Sequence, residues 1–232
     1  MMQIRRSASR GNASFGWLQS KHSFSFANYY GPAHMGVSVL RVLNDDRVAP
    51  GYGFETHPHR DMEIISYVLA GEIEHRDTMG SHSRLKAGEV QVMSAGTGIL
   101  HSEFNASSTV PLHFLQIWIT PQQKGLTPSY QQRPFPNMHG LTLLASPDAE
   151  QNSLPINQDA RLYRLQLEAT QTTLQIEADR IGYLHLIDGE LTIQGETLYP
   201  GDAVTLTDIA EITLNTTTAA HGLLFDLPAE EN

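Results

Sequence analysis

Two short patches of metal-ligating side chains share one spacing in this sequence: His57-Pro58-His59 and His101-Ser102-Glu103. In an extended strand, residues two apart lie on the same face, so each patch offers two ligands side by side. If the two patches lie on neighbouring strands, three imidazoles and one carboxylate converge on one point. We therefore predict one divalent transition metal ion per chain, bound by His57, His59, His101 and Glu103.

Either patch alone is a weak indication, because histidines and acids also occur two apart by chance on exposed strands. The surrounding sequence favours the metal site. The first patch is followed by an apolar segment at residues 64–69, which Gly71 ends. Gly88 begins the strand that runs through Gly96-Thr97-Gly98 to the second patch. Ligand type, spacing and strand context therefore agree.

This arrangement resembles the paired motifs of the cupin superfamily. The usual second motif has a proline where this chain has Ser94, and it reaches its histidine two residues sooner than His101. These departures resemble the pirin branch of the cupins, as do four segments: residues 22–30, 54–63, 96–103 and 116–119. The resemblance is close over about the first 135 residues and loose beyond them.

The resemblance implies iron as the metal and flavonols such as quercetin, with dioxygen, as substrates whose heterocyclic ring is opened. It also implies that Glu103 is both a ligand and the base that deprotonates the substrate's enol. From the residues alone the ion stays open, since Fe(II), Zn, Mn, Ni and Cu all suit imidazole and carboxylate. Glu63 is the rival ligand, because it occupies the glutamate position of the usual cupin motif. We favour Glu103, which shares a strand face with His101, and expect Glu63 to be a buried partner.

A second hypothesis of a different class is an iron-dependent, redox-sensing regulatory protein that acts through a protein partner. Some pirins are associated with transcription factors or metabolic enzymes, and a metal site serves sensing as well as turnover. A cupin isomerase or a sugar-binding protein is a third hypothesis. The pirin-like segments disfavour it.

The composition limits the class of protein. The 232 residues include no cysteine, which excludes disulfides, iron–sulfur clusters and thiolate ligands. The formal net charge of -10 disfavours direct binding to nucleic acid. No stretch of about 18 apolar residues could span a membrane, and Arg5-Arg6 is not followed by an apolar signal core. We expect a cytoplasmic monomer.

The hydrophobic pattern predicts an all-β chain. Residues 15–43 alternate as strands, and turn-forming residues follow at Asn44-Asp45-Asp46 and Pro50-Gly51. Because Pro58 lacks an amide donor, the first patch should lie at a strand end or bulge. Further strands are predicted at residues 63–69, 72–76, 88–93 and 112–119.

The second half of the chain repeats the first in outline. The glycine-led segments around Gly71 and Gly88 recur around Gly189 and Gly201. We therefore predict a bicupin of two jelly-roll β-barrels, with a metal-binding domain at residues 1–135 and a degenerate cupin domain at 136–232. A connector with prolines at 121, 128, 134 and 136 joins them. The resemblance implies that end strands cross between the barrels.

Counting from Gly189 and Gly201 by the distances that separate the predicted ligands from Gly71 and Gly88 gives four positions in the second half. The residues at these positions do not form a metal site: Gln175, Glu177, Leu214 and Thr216. The C-terminal barrel should therefore be structural. The other histidines are interpreted as packed or solvated: His22, His34, His75, His82, His139, His185 and His221. His113 is the exception, because it could hydrogen-bond a metal ligand.

Overall fold

The computed structural model describes residues 1–229, and nearly all of its regular secondary structure is β-strand. The strands are β1 Met2–Arg5, β2 Gly11–Ser14, β3 Leu18–His22, β4 Leu40–Val48, β5 Gly53–His59, β6 Glu63–Ala70, β7 Glu72–Asp77, β8 His82–Lys86, β9 Glu89–Ser94, β10 Ile99–Asn105, β11 Leu112–Ile119, β12 Ser129–Pro134, β13 Gly140–Ser146, β14 Leu154–Pro155, β15 Arg161–Leu167, β16 Thr170–Gln175, β17 Arg180–Gly189, β18 Leu191–Ile193, β19 Glu196–Leu198, β20 Ala203–Leu206, β21 Glu211–Thr216 and β22 Ala220–Pro228. Two 3-10 helices span Ser7–Ser9 and Glu150–Asn152. Among these described residues, no helix has the length and apolar character needed to cross a bilayer.

The strands form four sheets, one large and one small in each half. The N-terminal large sheet has the order β12-β9-β6-β11-β4-β3-β2, and its small sheet has the order β5-β10-β7-β8. The C-terminal large sheet has the order β1-β20-β17-β22-β15-β13-β14, and its small sheet has the order β16-β21-β18-β19. The two halves therefore repeat one topology, which confirms the prediction of an all-β bicupin. Each half is a two-layered jelly roll with open sheet edges rather than a closed barrel.

The two large sheets pack against each other through their outer faces. Leu43, Ile65 and Leu115 from one sheet share an apolar cluster with Tyr183 and Phe225 from the other. The central strands are therefore apolar on both faces, which explains the continuous hydrophobic run in β6. The inner face of the N-terminal large sheet is left to face its small sheet, and the candidate site lies between these two.

Strand β1 crosses from the N-terminus to the C-terminal large sheet. It pairs with β20 at the edge of the C-terminal large sheet. In the N-terminal large sheet, β12 occupies the corresponding edge and pairs with β9. Asp202 stabilises this segment, because its carboxylate accepts a hydrogen bond from Arg6 at 2.9 Å and one from the backbone N–H of Ser7 at 2.7 Å. The expected crossing is thus present in one direction only, since both sheets of the N-terminal half consist of strands from residues 11–134. The connector also differs from an irregular linker, since β12 lies within it as an edge strand.

Two predicted features of the first 50 residues are wrong. Phe24 and Phe26 lie in a loop after β3 rather than in a strand, and Asn44-Asp45-Asp46 lies in the middle of β4 rather than in a turn. Asn44 and Asp46 are 2% exposed, so their polarity reflects a polar interior and not a chain reversal. Strands β6, β7, β9 and β11 agree with the prediction, whereas β8 was not predicted, and the segment from Gly88 to His101 forms two strands, β9 and β10, in different sheets.

The interior of the C-terminal half is apolar where the first half has its histidines. His57 is opposite His101 in the first half, and Thr172 is opposite Leu214 in the second. This register places Thr172 and Leu174, rather than Gln175 and Glu177, at the positions of the first histidine pair. Leu174 and Leu214 belong to the apolar core of this half.

Candidate metal centre

Two adjacent strands bring the imidazole triad, His57, His59 and His101, together. His57 and His59 lie at the end of β5, an edge strand of the small sheet, and His101 lies opposite His57 on β10. An edge strand tolerates Pro58 because the missing amide donor can face away from the ladder. The sequence therefore places two ligands at a strand end without disrupting the sheet.

The three rings surround one point. Their centroids are 4.5 Å apart for His57 and His101, 4.7 Å for His57 and His59, and 4.8 Å for His59 and His101. The Nε2 atoms of His57 and His101 are 3.1 Å apart. His57 donates Nδ1–H to the backbone carbonyl of Glu55 at 2.7 Å, which leaves its Nε2 lone pair directed at the other rings.

The environment keeps two of these rings neutral. Burial lowers the pKa of His59 to about 4, and the neighbouring His101 and His57 add to this effect. Burial also lowers the pKa of His101 to about 3, with further contributions from His57 and His75. His59 Nε2 is buried and has no hydrogen-bond partner within residues 1–229. Neutral imidazoles with free lone pairs fit a divalent transition ion.

Glu103 lies beside His101 in the interior. Its Oε1 accepts hydrogen bonds from Ser66 and Gln91, both at 2.9 Å, and its Oε2 accepts one from Gln116 at 2.6 Å. Its carboxylate forms a second possible ligand group with His75 and His101, with ligand atoms within 4.8 Å of one another. The two groups share His101. The structure thus brings His57, His59 and His101 together and places Glu103 beside His101 in the second group, so that Glu103 as a ligand of the same ion stays a prediction.

A row of polar side chains across the large sheet holds Glu103. Asn44, Gln116, Ser66 and Gln91 are successive cross-strand partners on β4, β11, β6 and β9. Tyr130 donates its hydroxyl to Gln91 Oε1 at 3.0 Å, which turns the amide NH2 of Gln91 toward the carboxylate. This polar row fixes the position of Glu103 from the facing sheet.

His75 was not recognised as part of the site from the sequence. It is fully buried, its ring centroid is 5.4 Å from that of His101, and its Nε2 is 2.9 Å from Asp77 Oδ2. The ring of Tyr130 stacks on it at 4.4 Å. His75 stands on β7, two residues before Asp77, and the same spacing rule that identified the other ligands could have found this pair.

Glu63 and His113 lie outside the centre. Glu63 is 1% exposed and accepts from Ser94 Oγ at 2.7 Å and from the backbone N–H of Asn157 at 3.2 Å. It therefore joins the two halves, and Ser94, which replaces the usual cupin proline, is its partner. His113 pairs with Asp45 at 2.7 Å on the outer face of the sheet. The hypothesis that His113 supports a ligand is wrong.

A cavity of about 750 Å³ opens beside the imidazole triad. His57 and His59 line it, and Gln116 separates it from Glu103. A chain of ring contacts forms one wall, with centroid separations of 4.9 Å for His59 and Trp118, 5.4 Å for Trp118 and Phe26, and 5.1 Å for Phe26 and His22. The cavity therefore suits a flat aromatic ligand.

The comparisons with known proteins agree with this architecture. Residues 3–119 match the family model described as Pirin, and residues 143–227 match the one described as Quercetinase C-terminal cupin domain. A protein of Escherichia coli (strain K12) named quercetin 2,3-dioxygenase is 48% identical, over 98% of this chain and 99% of that protein. A pirin-like protein of Caulobacter vibrioides is 43% identical, over 93% of this chain and 95% of that protein.

A solved structure also matches this chain over nearly its whole length. The crystal structure of the bacterial pirin YhhW from Escherichia coli in complex with nickel(II) has a TM-score of 0.95 and 48% sequence identity. The match covers 99% of this chain and 100% of that one. Sequence and structure thus agree over nearly the whole chain, which belongs to the pirin family.

Proposed function

We propose that this protein is a metal-dependent dioxygenase that opens the heterocyclic ring of flavonols such as quercetin. The observation that carries the proposal is the imidazole triad, in which burial keeps His59 and His101 neutral, beside a cavity walled by aromatic side chains. Full-length relatives named quercetin 2,3-dioxygenase support the reaction class.

The proposed metal ligands are His57, His59, His101 and Glu103. A divalent transition ion held by these residues would act as a Lewis acid toward a substrate hydroxyl. We propose iron(II), since dioxygen chemistry at a site of histidines and a carboxylate is typical of that ion. The donor set also accepts nickel, which the related YhhW structure contains, and it accepts zinc, manganese or copper.

Glu103 is the proposed base. Its carboxylate is buried, and donors from the polar row fix both of its oxygens, so it needs no rearrangement to keep its orientation. Gln116 both lines the cavity and donates to Glu103, which places the carboxylate one side chain away from the substrate space. We propose that Glu103 takes the enol proton after the substrate displaces the side chain of Gln116, which brings the carboxylate within hydrogen-bond reach of the enol.

The cavity walls orient the substrate and exclude water. Trp118 and Phe26 contact each other edge to face between the triad and His22, so a planar ligand can stack along them. Trp17 and Phe54 cover another side of the same cavity.

Oxygen consumption tests the proposal. Protein loaded separately with iron(II) and nickel(II) is mixed with quercetin in an oxygen-electrode cell, with His101→Ala as the matched protein that lacks a ligand. We expect oxygen uptake that depends on quercetin and on the added metal, and none above background with His101→Ala. If neither loaded form consumes oxygen with any flavonol, the proposal is wrong, and the regulatory hypothesis becomes the better one.

A further inference from the structure

Four polar side chains form a square on the inner face of strands β3 and β4. Ser20 is directly opposite Asp46, and His22 is directly opposite Asn44. Each of the four is at most 4% exposed. We call this group, Ser20, His22, Asn44 and Asp46, the polar square. It continues the polar row, because Asn44 belongs to both.

The two parts of this polar surface differ in how their hydrogen bonds are satisfied. Gln116, Ser66 and Gln91 all donate to Glu103. In the polar square, His22 Nδ1 and Asn44 Oδ1 are buried without a hydrogen-bond partner within the described part of the chain, and Ser20 Oγ and Asp46 Oδ1 have no partner there other than each other. Buried polar atoms without a partner are rare and costly in native proteins. A group of such atoms on the wall of one cavity indicates a surface that receives its remaining partners from a ligand.

All four residues of the polar square line the same cavity as His57 and His59. The ring contacts from His59 through Trp118 and Phe26 end at His22. A ligand with one end at the imidazole triad can therefore lie along this wall and place its other end on the polar square.

The chemistry of the polar square favours neutral hydroxyl groups. Burial raises the pKa of Asp46 to about 7, against a hydrogen bond from Ser20 and the charge of Arg10 and together with the charges of Asp45 and Glu103, so its carboxyl can be an acceptor or a donor near neutral pH. Burial lowers the pKa of His22, and the positive charge of Arg10 lowers it further, so no cation is offered to an anionic ligand. A phenol both donates and accepts, and it matches such a set.

We propose that the polar square binds hydroxyl groups on the aromatic ring of the substrate that lies farthest from the metal ligands. This inference rests on the proposed function for the class of substrate. It makes the polar square a determinant of specificity, since a site with unpaired buried polar atoms rejects a ligand that lacks the matching groups.

Calorimetric titration under argon tests the inference, because binding is then measured without turnover. Nickel-loaded protein is titrated with quercetin and with galangin. The pendant phenyl ring, which we take as the ring farthest from the metal ligands, carries two hydroxyls in quercetin and none in galangin. We expect the wild type to bind quercetin at least about 10-fold more tightly, the scale of one hydrogen bond left unmade. Asp46→Ala should remove most of this preference by weakening the binding of quercetin and not that of galangin. Asp46→Asn keeps an oxygen acceptor and should restore the preference.

Arg47→Ala is the matched control, since Arg47 is the exposed next residue on the opposite face of β4. It should leave both affinities unchanged. If Asp46→Ala fails to fold by circular dichroism, Ser20→Ala replaces it, because Ser20 is its cross-strand partner. Equal binding of the two flavonols by the wild type, an equal loss for both in the variant, or no binding of either would overturn the inference. Each result is independent of oxygen consumption, which tests the proposed function.

Discussion

Two buried glutamates of the N-terminal half, Glu103 and Glu63, differ in their hydrogen-bond partners. Glu103 accepts from three uncharged side chains within the site. Glu63 accepts from Ser94 and Asn157, and so connects β6 and β9 to the C-terminal half. Residue type alone does not separate the two carboxylates, whereas their hydrogen-bond partners place only Glu103 in the candidate site.

This division predicts different effects for the two matched glutamine variants. Glu103→Gln keeps the shape of the side chain and an oxygen atom that can ligate a metal, but it loses the negative charge and the basicity. Turnover should therefore fall by roughly 100-fold or more, while some metal is retained. Glu63→Gln should keep its metal and its turnover within a few-fold, and should melt at a lower temperature. Steady-state oxygen uptake, metal analysis and thermal melts measure these outcomes. Equal activity in Glu103→Gln and wild type would remove Glu103 from the chemistry.

The imidazole triad predicts that single substitutions abolish metal binding. His57→Ala or His101→Ala each remove one of three converging rings, and we expect less than a tenth of the wild-type metal content after dialysis, the scale of a lost ligand. His82→Ala is the control, since His82 is 59% exposed on β8. A full complement of metal in either triad variant would show that the ion binds elsewhere.

At the scale of strands, β1 is the element that connects the start of the chain to its far half. Its pairing with β20 covers an edge that would otherwise expose unpaired backbone groups. Ile4 packs against the apolar core of the C-terminal half. The C-terminal sheet therefore depends on residues that a division by sequence assigns to the N-terminal domain.

Deleting residues 2–5 should destabilise the C-terminal large sheet selectively. Without β1, the amides of β20 lose an adjacent strand and should exchange with solvent faster, whereas those of β9, whose neighbour is β12, should not change. Hydrogen exchange followed by mass spectrometry measures both in one experiment. Unaltered protection of β20 would mean that the pairing contributes nothing to this sheet.

Some elements could be predicted from the sequence and others could not, for a physical reason. Strands β6 and β11 have strong apolar patterns because they are buried on both faces. Strand β4 was misread at Asn44–Asp46 because polar residues are typical of turns, whereas here they form a polar interior. The triad is predictable from ligand type, spacing and strand context together. The spacing of His75 and Asp77 is visible in the sequence, but its place beside His101, like the polar square, depends on cross-strand neighbours that a single segment does not contain.

At the scale of the whole molecule, the two large sheets enclose titratable groups between them. His185 on β17 is 1% exposed and belongs to this layer, with Arg10 and Asp45 nearby. Both of its ring nitrogens lack hydrogen-bond partners among residues 1–229. Burial lowers its pKa to about 3, and the positive charge of Arg10 acts in the same direction, against the charges of Asp45 and Asp202.

This histidine predicts an acid-dependent loss of stability. In the unfolded chain its pKa is near the ordinary value of 6.5, whereas in the folded protein it is about 3. Between these two values only the unfolded state binds the proton, so the contribution of His185 to stability is fully present above pH 6.5 and is lost as the pH falls toward 3. His185→Leu is close in size and cannot titrate. Its free energy of unfolding relative to wild type should therefore rise on acidification, by up to about 1.4 kcal/mol per pH unit below pH 6.

Urea unfolding of wild type and His185→Leu between pH 7.5 and pH 4.5 would measure this difference, because contributions from the other histidines and from Asp46 are common to both proteins and cancel. His82→Leu serves as the control, since the side chain of His82 is 59% exposed on β8 and lies outside this interface. A constant difference between His185→Leu and wild type across this range would show that His185 gains a proton without unfolding. The interface between the large sheets would then have to admit water or move His185 toward an acidic partner such as Asp45.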